Sequence, residues 1–137
     1  MDKAIKIIGI VTDGIDQPRN DGTFGSGLYK IPFELNRTPS YEWIELFVNA
    51  WNHPPQFTSM HRSGIASVFG NQIILDGTTI EEVEKYHKGT LNLAVEVANN
   101  QIAEMNLRKQ EQAKMETKKR EKHQKNIDYI NKRIDFN

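Results

Sequence analysis

The 137-residue sequence predicts an α+β fold, a small and mainly antiparallel four-stranded sheet in β-β-α-β-β-α order with a long projecting C-terminal helix. Three observations carry this expectation. Short apolar, β-branched runs come in pairs. A stretch with apolar residues at helical spacing follows each pair. The last such stretch then continues into Lys, Arg, Glu and Gln with no Pro or Gly to stop it.

Residues 4–11 (AIKIIGIV) have the composition of a strand buried for most of its length. The polar, glycine-laden stretch 12–27 is long for a connection within a compact domain, a length typical of functional or disordered loops. Residues 28–36 alternate, with Tyr29, Ile31, Phe33 and Leu35 on one face and Lys30, Pro32, Glu34 and Asn36 on the other. Pro32 has no N–H to donate, which predicts an edge strand or pairing on only one side at that point.

Thr38, with Pro39 at the first helical position, or Ser40 caps the next helix. Tyr41, Trp43, Ile44, Phe47, Val48, Ala50 and Trp51 fill about half of its circumference at ~100° per residue. That helix lies flat on a sheet, and His53-Pro54-Pro55 ends it. Gly70-Asn71, between the runs 65–69 and 72–75, gives a two-residue hairpin turn, and Asp76-Gly77 closes the second strand. Thr79 and Glu82 match a capping box at the start of the final helix. Its apolar residues, from Ile80 and Val83 through Leu91, Leu93 and Val97 to Met105, cover more than half the wheel. A helix resting on one sheet needs a stripe of roughly 100°, so the surplus predicts a second packing partner. Unbroken from residue 80 to 125, the helix is about 70 Å long at roughly 1.5 Å per residue. Its last turns regain apolar spacing at Ile127, Ile130 and Ile134.

Apolar residues make up 37% of the chain, below the roughly 45–50% of globular proteins, and the deficit lies in the last thirty residues. Two parts follow: a compact body, residues 1–107, that includes the first half of the long helix, and a basic helical extension, residues 108–137. The formal net charge is zero, but the body carries 8 Lys plus Arg against 13 Asp plus Glu, a balance of −5. The extension carries 10 against 5, a balance of +5. A tail of this kind attracts polyanions, or lies on the acidic body of another subunit. Zero cysteines exclude disulfides, thiolate chemistry and cysteine-based zinc sites. With no run of about 18 apolar residues and no leader-like start, the expectation is a soluble, cytoplasmic protein without membrane contact.

Five features carry possible chemistry. The loop 21–27 (DGTFGSG) offers backbone amides to an anion, with Gly25 and Gly27 allowing close approach and Arg19 adding charge. It runs into a strand rather than a helix and lacks the Lys-Ser/Thr of a P-loop, so its plain reading is a mobile hairpin loop. Arg62 presents a rigid donor fork for phosphate or carboxylate, and His61 beside it suits proton transfer, against a plain reading of a salt-bridged Arg62 and a solvated His61. His87, in Glu84-Lys85-Tyr86-His87, sits on the apolar arc and reads as a core or interface histidine with its hydrogen bonds satisfied. Its spacing from His53 and His61 gives no case for zinc. The polar ridge Asn92, Glu96, Asn99, Asn100, Glu104 and Arg108 reads first as a solvated face; where subunits pack by the surplus apolar strip, Asn99 and Arg108 line a pocket between them. The basic run from Arg108 to Lys125 can neutralise nucleic-acid phosphates, but Glu111, Glu116 and Glu121 break it and no aromatic residues interleave it. Trp43 and Trp51 read as core.

The leading expectation is a non-enzymatic, homo-oligomeric protein, most simply a closed dimer, without cofactor or metal. It would hold an anionic ligand, a nucleotide-like small molecule or nucleic acid, through Arg19, Gly25, Gly27, Arg62, Asn99 and Arg108. The alternative is a structural or adaptor module that docks a partner through the long helix. Phosphate-ester chemistry at His61 and Arg62 is a third reading, weakened by the lack of a paired carboxylate.

Overall fold

A computed structural model describes residues 4–136; the outermost residues of the expected body and extension, 1–3 and 137, lie outside it. Four strands form one antiparallel sheet in the order β1-β2-β4-β3. They are β1 (Ile7–Ile10), β2 (Tyr29–Leu35), β3 (Ala66–Phe69) and β4 (Gln72–Thr78). Helix α1 (Tyr41–Asn52) separates the two strand pairs. After β4 come a helical turn α2 (Ile80–Glu82), a π-helical turn (Val83–His87) and helix α3 (Lys88–Arg133). The α+β class and the long C-terminal helix are thus as the patterning predicts.

The chain divides into two compact units, residues 1–102 and 103–137. In the first, alternation along β2 and β4 turns Ile31, Phe33, Leu35, Ile73 and Leu75 inward, and all five are buried. They share one core with Trp43, Phe47 and Trp51 of α1 and with Leu91, Ala94, Val95 and Ala98 of α3. Trp43 and Phe47, one turn apart, stack with centroids 5.2 Å apart. Tyr41, assigned to the apolar face of α1 by spacing alone, is exposed. Ser40 is the cap, its Oγ accepting from Trp43 N at 3.2 Å.

β2 is an interior strand, not an edge. The carbonyl of Pro32 points toward β1 and accepts from Val11 N at 3.0 Å, just past the end of that strand. The N–H that proline lacks would point the same way, beyond the β1 ladder, so the pairing with β4 passes through Pro32↔Ile74 without a break there. The edges are β1 and β3. Ile8 forms a bulge between the pairs Ile7↔Leu35 and Gly9↔Glu34 and is 59% exposed. The expectation of a largely buried first strand fails for this reason, since a strand at a free edge has covering neighbours on one side only.

The β3–β4 hairpin closes through Gly70 and Asn71, with Gly70 at φ 61°, a left-handed conformation natural to glycine. β4 continues past Asp76-Gly77 to Thr78. In the second unit every residue from 107 to 136 is exposed, on a helix that runs to Arg133. Among the described residues no helix is long and apolar enough to cross a membrane.

Candidate functional site

The densest polar arrangement of the first unit lies where the 56–64 loop, the end of β4 and the start of the final helical region meet. Thr79 caps that region, its Oγ1 accepting from Glu82 N at 3.2 Å. Glu82 does not return the favour as a full capping box would. Its carboxylate turns to Arg62 in a two-pronged contact, Nη1 to Oε1 and Nη2 to Oε2 at 2.9 Å. Arg62 Nη1 also donates to the Gly77 carbonyl at 3.2 Å, and Thr78 Oγ1 donates to Glu82 Oε1 at 2.9 Å. The hydrogen bonds from Arg62, reinforced by Thr78, hold the Glu82 carboxyl below its ordinary pKa, and the same pairing raises that of Arg62.

Two histidines complete the cluster. His87 is wholly buried on the π-helical turn, with its ring edge toward Trp51 at 5.5 Å between centroids. His61 lies between Trp51 and Phe57, at 4.6 and 5.1 Å. The ring nitrogens of both are buried without a hydrogen-bond partner among the described residues; His87 Nε2 and Glu82 Oε1 are 3.7 Å apart, outside hydrogen-bond range. Burial lowers the pKa of each, opposed in part by Glu82 for His87 and by the Trp51 backbone for His61. Trp51 Nε1 donates to the Arg62 carbonyl at 3.0 Å, fixing the loop from inside. Burial therefore favours the neutral form of both imidazoles and shields their ring nitrogens from solvent.

The other expected contacts are distributed elsewhere. Asn99 Oδ1 accepts from Ile5 N at 3.1 Å and Trp43 Nε1 at 2.9 Å, while Nδ2 donates to the Ile5 carbonyl at 2.9 Å. Asn99 thereby clamps the chain ahead of β1 to both helices. Arg19, Gly25 and Gly27 are exposed. Their loop folds upon itself, with Thr23 N donating to Asp21 Oδ1 at 3.0 Å, Ser26 N to Thr23 O at 3.1 Å and Leu28 N to Gly25 O at 3.1 Å. The hydrogen bonds from Thr23 lower the Asp21 pKa, so the loop already holds a carboxylate of its own. Gly25 has φ 77°, and a Cβ there would meet nothing within 4 Å, so glycine serves the turn rather than a close approach. Arg108 lies on the second unit, with Glu104 at 4.0 Å on an exposed helix face.

Sequence reasoning missed a groove. A concavity of about 500 Å³ runs beside the free edge of the sheet, lined by β1, Phe33, Ile80, Val83 and Leu91, with Glu84, Lys88 and Asn92 as its polar members. It continues past Ile7 and Asn92 into a second hollow along residues 4–7 and the polar ridge of α3. The signal in the sequence was the surplus apolar width at the start of the last helix.

Compared with known proteins, the chain matches no family model, no curated protein and no solved structure.

Proposed function

We propose that the protein is a non-enzymatic binding module that docks a protein partner through its C-terminal helix. The observation that carries this reading is the face formed by Ile127, Ile130 and Ile134, all exposed at the end of a helix otherwise rich in Lys, Arg, Glu and Gln. Each is already about half covered, so burying the remainder contributes on the order of 1 kcal/mol apiece, a driving force that adds to the charge attraction against the losses of association. Catalysis is disfavoured because the ring nitrogens of His61 and His87 are shut away from any substrate. The cysteine-free composition suits a cytoplasmic setting, which belongs to the same proposal.

Anion binding is the second reading, and the basic stretch of α3 favours it in the form of nucleic acid. Lys114, Lys118, Lys119, Arg120, Lys122 and Lys125 are all exposed along successive turns. A nucleotide-like ligand at Arg62 and Asn99 has less support, since both side chains are engaged within the protein.

Native mass spectrometry of the freshly purified full chain separates these readings. Docking predicts a protein partner, a second copy or another chain, that is lost in the Ile127→Asp/Ile130→Asp double variant. A lone chain retaining a small anionic mass, insensitive to that double variant, would reject docking in favour of ligand binding.

A further inference from the structure

We propose that the groove beside β1 receives the apolar tip of the C-terminal helix of a second copy of this chain. This rests on the docking reading above and names both the partner and the receiving site. Charge selects the pairing. Residues 108–125 carry eight Lys and Arg against three Glu, so two such helices side by side repel each other, whereas the body, residues 1–107, carries −5. The tail of one copy is therefore drawn to the body of another rather than to its tail.

Size and polarity then select the place on the body. Ile127, Ile130 and Ile134 span two helical turns, about 10 Å at ~1.5 Å per residue. From Ile7 to Ile10, β1 spans about 10 Å at ~3.3 Å per residue. The groove offers the half-buried Ile7 and Ile10 and the exposed Ile8 and Ile80 to an apolar guest, over a floor of core residues Phe33, Val83 and Leu91. Glu84 and Lys88 give it one charge of each sign, and the tip carries both signs in Asp128, Lys132 and Arg133. The bulge at Ile8 interrupts the regular edge that an added strand would need, which favours a helix as the occupant. Reciprocal exchange of tips between two copies closes a dimer with two equivalent contacts.

The cysteine-free chain makes the test direct. Single variants Ile8→Cys and Ile130→Cys, both at exposed positions, are mixed and treated with a short bis-maleimide, and intact masses are read. The expected product joins one Ile8→Cys copy to one Ile130→Cys copy, several-fold above either like-with-like product, with a yield that falls as salt is added. Sedimentation of Ile8→Glu is expected to shift toward monomer with an unchanged circular dichroism spectrum. Dominant Ile130→Cys self-linkage, equal yields of all products, or a wild-type monomer at every concentration would overturn the proposal. Self-linkage, or a monomer that carries a different protein in native mass spectrometry, leaves helix docking standing; a monomer with no protein partner removes both.

Discussion

Arg62 and Glu82 are twenty positions apart, and nothing local to either announces their pairing. The Thr79–Glu82 spacing was legible as a helix start, and the backbone half of that cap is present; the destination of the Glu82 carboxylate depends on a loop brought in by tertiary folding. Arg62→Ala leaves that mostly buried carboxylate with Thr78 alone, and should lower stability by about 2 kcal/mol, read as a shift in urea midpoint. Arg62→Lys should recover only part, because an ammonium cannot supply the paired contact. Burial of His87 was legible from its place on the apolar arc, whereas the shielding of His61 by Trp51 and Phe57 was not. Both imidazoles have folded pKa values below the ordinary 6.5. Between those values and 6.5 the unfolded chain binds more protons, so stability is full above 6.5 and falls as pH drops below it. Glu82, lowered from 4.5, adds stability above that value, which is lost as pH falls through its folded pKa. Urea midpoints should therefore fall between about pH 7.5 and 5.5, and His87→Leu should flatten this change. An unchanged slope in that variant would remove His87 from the acid response.

Elements were read well where the pattern is local, and less well where neighbours decide. The alternation of β2, the Gly70-Asn71 turn and the Ser40 cap each follow from residues within a few positions. The order of strands does not: Pro32, a sign of an edge strand or of one-sided pairing, lies in the interior strand β2, and the edges are β1 and β3. The π-helical turn at Val83–His87 has no sequence signature comparable to a proline or a cap, so an unbroken α-helix was the natural reading of a region that widens by one turn. Asn99 looked like one member of a solvated ridge, yet it holds the start of the sheet against two helices. Asn99→Leu should cost about 2–4 kcal/mol, since it strands the Ile5 backbone groups and the Trp43 indole N–H together. Slower folding with an unchanged urea midpoint would contradict this. Thr79→Ala should cost about 1 kcal/mol through loss of the cap, again read from the midpoint.

For the whole molecule, the charge division and the long C-terminal helix were plain from the sequence, because neither depends on long-range contacts. The groove was not, because it arises from β1, β2 and the start of the last helix meeting far apart in sequence. What the sequence did register was an excess of apolar surface on that helix and an apolar tip at its far end. Docking of one on the other between copies accounts for both, and for the opposite charges of body and tail. Amide hydrogen exchange across a range of protein concentrations tests this most directly. The amides of residues 127–134 should slow as concentration rises, together with those of β1 and the turns from Ile80 to Leu91, and Ile8→Glu should abolish the change. A tail that exchanges rapidly at every concentration, with β1 equally indifferent, would contradict the account.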